Sequence, residues 1–415
     1  MTTPQPRRVL IVGGSIAGLL AGNLFHRNGW DVRVFERAAG DLEGRGAGIT
    51  ILPGLMSSFR AAGVNETEHS IGIELSERIA LDRSGKVVAQ RSFPQSMTSW
   101  GRLYQSLKAI FPAERYHAGM SLERADQNAH GVTAVFAGGA RVEGDLLIGA
   151  DGLRSTVRSQ CLPDHKPHYA GYIAWRCLVD ERDLDPVVFG PLFERYAICV
   201  APGEQGIGYP VPGPSHSSEP GKRQYNVVWY HPVREAEDLP RFMTDDTGRY
   251  HPGGIPPSLL STRIRDEMIG MARQVLAPQF AGALERGRLH FFQPILDLEP
   301  EHLAFGRIAL VGDAAFVARP HVAMGVPKGA GDVLALAQAL EITSDTIAAA
   351  LQRFETERLL AGRTLVARGR YLGAYMEAQL KSDDERRQAE TRRLPEQVMM
   401  ETAAPISTWG QVYTL

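Results

Sequence analysis

Three short segments carry residues whose types and spacing suit a phosphate-bearing cofactor. The first is Gly13-Gly14-Ser15-Ile16-Ala17-Gly18, directly after the apolar run Val9-Leu10-Ile11-Val12. A pyrophosphate needs backbone N–H groups at a helix N-terminus and room to approach them. Gly13 permits the sharp turn, and Gly18 lets the following helix pack close to the strand. Ser15 replaces the middle glycine of the usual G-x-G-x-x-G pattern; a serine there still admits a phosphate and adds a hydroxyl donor. Glu36 closes the next apolar run, where an acidic side chain accepts from ribose hydroxyls and its charge opposes a 2′-phosphate. The second segment is Gly149-Ala150-Asp151-Gly152 with Arg154 and Arg158, and the third is Gly312-Asp313 after the apolar Ile308–Val311. The first loop by itself does not separate NAD from FAD.

These segments need rigid elements behind them. Val9–Val12 is a continuous apolar run, as in a parallel strand buried on both faces. Ile16, Leu19, Leu20 and Leu24 recur at helical spacing, and Asn28-Gly29 ends that helix. Asp31–Glu36 returns as a strand, which makes a βαβ opening. Ile71–Phe93 alternates as antiparallel strands, Gly101–Phe111 is helical, and Arg141–Ile148 reads as a hairpin arm. Tyr169–Tyr230 is rich in aromatic and β-branched residues between Gly/Pro turns, as in an antiparallel sheet carrying a pocket. Ser258–Leu276, Pro327–Ile342 and Ser344–Tyr375 read as helices, and a charged, irregular tail follows.

With 415 residues, 44% hydrophobic and 22% charged, the chain has the composition of a globular protein of two domains or one elaborate one. A net charge of -2 gives no basic excess for nucleic acid or an anionic membrane. The uncharged Val9–Phe25 is shorter than a membrane span needs and is broken by glycines. Three cysteines without a close pair give neither a disulfide framework nor a zinc site, so the expectation is a cytoplasmic protein without metal.

Taken together, these motifs resemble the single-component (class A) flavoprotein aromatic hydroxylases, the para-hydroxybenzoate hydroxylase family, from about Arg7 to Tyr375. Asp151-Gly152 resembles the family's DG motif, Gly312-Asp313 its GD motif, and Gly46-Ala47-Gly48-Ile49 its loop beside the isoalloxazine. Glu114–His117, Tyr169–Arg176, Tyr209–Gly213 and Gly312–His321 are similar to the hydroxypyridine hydroxylases within it. The resemblance implies an α/β Rossmann-like FAD-binding domain interleaved with an antiparallel-sheet substrate domain. Residues 1–72, 100–165 and 288–378 would form the first, 73–99 and 166–287 the second, and 379–415 the tail. It implies FAD contacts at Gly13, Gly14, Ser15, Ile16, Ala17, Gly18, Glu36, Arg37, Gly48, Arg102, Leu122, Asp151, Asp313, Gly325 and Val326.

The same resemblance implies an activity. NAD(P)H reduces FAD, O2 adds to give a flavin C4a-hydroperoxide, and its distal oxygen attacks an electron-rich ring; the protein orients the substrate and excludes water. The favoured substrate is a hydroxylated pyridine, with a phenol or salicylate-like acid as the alternative. Among other flavin chemistries, the halogenase W-x-W-x-I-P, the Baeyer–Villiger F-x-G-x-x-x-H-x-x-x-W-P and a redox C-x-x-C are missing from the sequence. A flavin-binding scaffold using its charged tail is a further reading, and a homodimer is the expected assembly. For catalysis the residues singled out are His321, in a loop that in this family faces the reactive side of the flavin, and Tyr209, on the pocket sheet; the alternatives are a histidine that only fixes its loop and a tyrosine packed in the core with its hydroxyl satisfied. Near Pro327 a helix start would stabilise negative charge by about 0.3–1 kcal/mol. Lys328 either adds to that charge or is a solvated lysine at an ordinary helix start.

Overall fold

Val9–Val12 does form a buried strand, Arg8–Val12, at the heart of a six-stranded sheet in the computed structural model. The structure describes residues 6–42, 46, 48–252, 254–288, 290–341, 346–376, 387, 389 and 394–409. In the six-stranded sheet the order is Ala304–Phe305, Ile308–Leu310, Leu146–Gly149, Arg8–Val12, Asp31–Glu36, Tyr116–Ala118. All but the antiparallel edge strand Ala304–Phe305 run parallel, with Ile11 paired to Ile148 on one side and Val34 on the other. Parallel strands end on the same side. Gly13, Glu36, Ala150-Asp151 and Gly312 therefore meet along one edge of the sheet, where open α/β sheets bind ligands.

The reading of Arg141–Ile148 as one hairpin arm is corrected. Arg141–Gly144 closes a three-stranded antiparallel sheet with Leu122–Gln127 and Val132–Phe136, whereas Leu146–Gly149 leaves it to join the parallel sheet. Asp145 marks the switch, its carboxylate accepting from the Arg8 N–H at 2.7 Å. Leu146, Leu147 and Ile148 are all fully buried, which only a strand covered on both faces explains.

A second, eight-stranded sheet is almost wholly antiparallel. Its order is Phe291–Asp297, His168–Asp180, Gln224–Pro232, Glu204–Val211, Tyr196–Ala201, Ile73–Leu81, Val87–Ser99, Gly48–Ile51. It draws Gly48–Ile51 and Phe291–Asp297 from segments that the expected boundaries assign to the cofactor domain. Alternation sorts its two faces. Ile173, Trp175, Cys177 and Val179 pack under the helices Thr262–Val275 and Pro278–Arg286, the second of which the sequence reading did not anticipate. Trp175 and Trp229 pair across strands there, both essentially buried, each worth roughly 1.5–3 kcal/mol or more in apolar burial. Tyr172, Ala174 and Tyr230 occupy the opposite face, with Tyr196 and Tyr209.

The expected Pro327–Ile342 and Ser344–Tyr375 helices are Gly325–Glu341 and Ile347–Gly373; Ser344 lies outside the described residues. The described part of the charged tail packs on the body and is helical where the sequence reads as irregular. The helix Pro395–Glu401 seats Val398 and Met399 in the core beside Tyr196 and Tyr209. No helix among the described residues is long and apolar enough to cross a membrane.

Candidate active site

Between the two sheets lies a cavity of about 610 Å³, in the range that holds a cofactor or small ligand. Its nucleotide half is lined by Gly13, Ser15, Ile16, Ala17, Glu36, Arg37, Leu122, Asp151 and Asp313. The turn at Gly13 has φ +106°, and an added Cβ would meet the Ala150 carbonyl oxygen at 2.3 Å. A Cβ on Gly18 would meet the Gly13 carbonyl oxygen at 1.8 Å, so both glycines are required for the strand, helix and Asp151 loop to close up. Ser15 is the N-cap of the helix Ile16–Arg27, yet its hydroxyl makes no capping bond and remains for the cavity. Gly14 lies just behind this wall, donating its N–H to Glu36 Oε2 at 2.9 Å, while Glu36 Oε1 accepts from Ala38 at 2.8 Å.

Asp151 organises the second loop. It accepts from the Ser155 hydroxyl at 2.5 Å and from the N–H groups of Thr156 and Val157 at 2.7 and 3.3 Å, opening the helix Thr156–Cys161. Burial pushes its carboxyl above the ordinary range, against these hydrogen bonds. Arg158 reaches from that helix to the carbonyl oxygens of Leu153, Asp313 and Ala314, tying the Asp151 loop to the Asp313 loop.

Lys328 is not a solvated lysine. It is 2% exposed, and its Nζ donates to the Gly312 and Phe316 carbonyl oxygens at 2.6 and 2.5 Å, with Asp313 Oδ1 at 3.6 Å. One turn on, Asp332 accepts from the Gly312 N–H at 3.0 Å and pairs with Arg358 at 2.8 Å. Gly312 itself is left-handed, φ +62°. The sequence did carry a signal for this clamp. Lys328 and Asp332 sit four apart on the face that also buries Val333 and Leu336, where unpaired charge is costly. Gly325 and Val326, which open this helix, stand on the cavity wall.

The other half of the cavity is the aromatic face of the eight-stranded sheet. Tyr209 stacks on Tyr196 with centroids 5.3 Å apart and planes 8° from parallel. Gly48 lies under the Tyr209 ring, where a Cβ would meet the ring at 2.4 Å, and donates its N–H to Asn226 at 3.1 Å. Ala47 lies outside the described residues. Burial raises the Tyr209 phenol far above its ordinary range, so it acts as a neutral hydroxyl. Thr402 and Ala403 complete the wall from the far end of the chain. Fully buried Arg78 holds them, donating to the carbonyl oxygens of Met399, Thr402 and Ala403 at 2.8, 2.6 and 3.0 Å. Ala323 and Ala403 both line the cavity with left-handed backbones, φ +53° and +52°, strain that the packing around them sustains.

Four expected site residues do not line the cavity: Gly14 and Gly18 lie behind it in the first loop, and His321 and Arg102 sit elsewhere. His321 is not on the wall: it lies behind Pro320 and Ala323, 1% exposed, hydrogen-bonded through Nε2 to the Tyr172 hydroxyl at 2.9 Å. Burial, with Arg319 and Arg176 nearby, pushes its imidazole down to about 3, so it is neutral at physiological pH. Its seat behind the wall is reinforced by the Ala403 N–H donating to the His321 carbonyl at 2.8 Å. Arg102 does not line the cavity either; Glu66 engages its guanidinium at 2.8 Å.

The residues fit a flavin dinucleotide. Gly13 leaves room where a side chain would block the turn, the Ser15 hydroxyl makes no capping bond, Glu36 closes the strand Asp31–Glu36, and Asp151 comes two residues after the strand Leu146–Gly149. A family described as FAD binding domain-like matches residues 169–297. The chain is 30% identical over 363 residues, 87% of this chain and 89% of the relative, to 2,6-dihydroxypyridine 3-monooxygenase of Paenarthrobacter nicotinovorans. The chain belongs to the class A FAD-dependent aromatic hydroxylases. It is also similar to the FAD-dependent urate hydroxylase of Klebsiella pneumoniae, 27% identical over 380 residues, 88% of each chain. The hydroxylase fold is also that of the solved 2,6-dihydroxypyridine-3-hydroxylase from Arthrobacter nicotinovorans, with TM-score 0.84 and 28% identity over 92% of this chain and 96% of that one. FAD is accordingly the cofactor of this hydroxylase.

Proposed function

We propose that this enzyme hydroxylates an electron-rich ring bearing its own hydroxyl group, with a hydroxylated pyridine as the favoured substrate. Two electrons come from NAD(P)H; one atom of O2 enters the ring and the other leaves as water. The observation that carries the reading is that one cavity joins the dinucleotide loop and the Asp313 loop to the aromatic face of the second sheet. Relatives named 2,6-dihydroxypyridine 3-monooxygenase and 6-hydroxynicotinate 3-monooxygenase support the choice of ring.

When bound, the flavin supplies reduction by NAD(P)H and activation of O2. The chain's own residues do the rest. Ser15 and the first turn of Ile16–Arg27 would receive the pyrophosphate, and Glu36 the ribose hydroxyls. Asp313, fixed by Lys328, would take the ribityl chain. Val326 and the start of its helix would place positive dipole against the ring system. Tyr209, neutral and braced by Tyr196, would orient a ring hydroxyl, and His321 would position Tyr172 and the Pro320–Ala323 turn behind it. Thr402 and Ala403 would close the cavity against water.

The test is oxidation of NADH and NADPH by the FAD-loaded protein with hydroxypyridines, hydroxynicotinate and phenols. Stimulation by a pyridinol with a product heavier by one oxygen supports the reading; stimulation by none of the rings overturns it.

A further inference from the structure

One charged side chain in the cavity has no role in the account above. Arg176 lies on the strand His168–Asp180, two and four residues after Ala174 and Tyr172, so alternation turns it to the aromatic face. It lines the cavity opposite the nucleotide half, next to Val228 on the neighbouring strand. No hydrogen bond or ion pair joins it to any described residue, and its Nε is buried without a partner. This is unusual among the enclosed cations of the molecule. Arg78 has three backbone carbonyls, Arg319 has Asp297, Arg358 has Asp332, and Lys328 has two carbonyls and Asp313.

Among the described residues, nothing around Arg176 supplies the missing negative charge. Tyr209, Tyr230 and His321 are its electrostatic neighbours, and all three are neutral: burial raises the two phenols, Tyr230 to about 12, and lowers the imidazole. On the second-sheet half of the wall, Arg176 is the one charged residue among the described residues; Glu36, Asp151 and Asp313 belong to the nucleotide half. Arg176 is half-buried with its Nε shut off from water, and a guanidinium so placed without a counter-charge is costly. Its planar fork is shaped for an oxygen anion, with two parallel N–H donors.

We propose that Arg176 is the anion receptor of the substrate subsite, so that the ring is bound as an oxyanion or carboxylate with its charged oxygen against the guanidinium. The inference rests on the hydroxylase reading and sharpens it. Where the charged oxygen is the ring oxyanion, its proton has gone to bulk water before binding and the ring is already the more nucleophilic form, so no side chain of the wall has to remove that proton during attack. The neutral Tyr209 and Tyr230 hydroxyls then serve orientation. Arg176 thus selects against neutral rings of the same shape, which leave it unpaired.

The experiment is a titration of the FAD-loaded protein with matched ring ligands, read as perturbation of flavin absorbance. One pair is a hydroxypyridine and its O-methyl ether; the other is hydroxynicotinate and its amide. For the wild type, the anion-forming member of at least one pair binds more tightly. In Arg176→Gln its Kd rises at least ~30-fold while the neutral member moves less than about threefold, and Arg176→Lys recovers part of the loss. Which pair discriminates tells a ring oxyanion from a carboxylate. Equal binding of charged and neutral members to the wild type, or unchanged discrimination in Arg176→Gln at full FAD content, overturns the proposal. Binding is read without turnover, so this outcome is separate from a failure of the hydroxylase reading, in which no ring accelerates NAD(P)H oxidation.

Discussion

The Tyr172 hydroxyl and His321 Nε2 are 2.9 Å apart, in a layer directly behind the cavity wall. Both groups are fully buried, and the Tyr230 ring closes over the imidazole with centroids 4.3 Å apart. The pair fixes the Pro320–Val322 turn and keeps the imidazole off the cavity wall.

A pH dependence of stability follows. The His321 imidazole titrates near 3 when folded and near 6.5 when unfolded, so from pH 6.5 down to 3 the unfolded chain binds the extra proton. Stability is then lost as pH falls through that window, by at most about 1.4 kcal/mol per pH unit from this one group. Above pH 6.5 both states are neutral and it contributes no slope. Thermal midpoints from pH 7 to pH 4 should therefore fall less steeply in His321→Gln than in the wild type.

Gly13→Ala should abolish cofactor binding. The substitution puts a Cβ at φ +106° and 2.3 Å from the Ala150 carbonyl oxygen, so both loops of the nucleotide half must move. The purified variant should be colourless, with FAD affinity reduced at least ~100-fold in a fluorescence titration.

Lys328→Met should separate cofactor retention from the rest of the fold. It strips the Gly312 and Phe316 carbonyls of their shared donor, at a cost of roughly 2–5 kcal/mol. We expect a lower thermal midpoint and faster FAD loss in ultrafiltration, with circular dichroism of the strands unchanged.

Arg78→Met should open the cavity from the C-terminal side. Thr402 and Ala403 each lose the contact to their carbonyl, and Met399 just before them loses its own, although Gln205 and the His321 carbonyl still reach Thr402 and Ala403. The expected readout is uncoupling. NAD(P)H consumption continues, but more of it yields peroxide and less yields hydroxylated ring, as water enters.

The nucleotide half was legible because its logic is local. Val9–Val12, Gly13, Gly18 and Glu36 belong to one βαβ unit whose periodicity and turn chemistry lie within a short stretch of chain. Gly312-Asp313 was legible as a motif, but the clamp beneath it, Lys328 with Asp332, needed the fold to decide between buried and solvated lysine. The choice between a His321 that faces the cavity and one that fixes its loop was not legible, because Tyr172 and Ala403, the residues that seat it, come from distant parts of the chain. The same distance hid Arg78 and the closing role of Thr402 and Ala403. Arg176 was within reach, since a lone charge interrupts the apolar and aromatic run from Tyr169 to Val179. Its significance appears only when the structure leaves that charge unanswered.

The most direct measurement is product analysis during turnover. The FAD-loaded protein is mixed with NAD(P)H, 18O2 and a hydroxypyridine, and the organic product is weighed by mass spectrometry. The account predicts NAD(P)H oxidation accelerated by the ring and a product carrying a single 18O atom. A protein that oxidises NAD(P)H equally with and without any hydroxylated ring, and returns every ring unchanged, would contradict it.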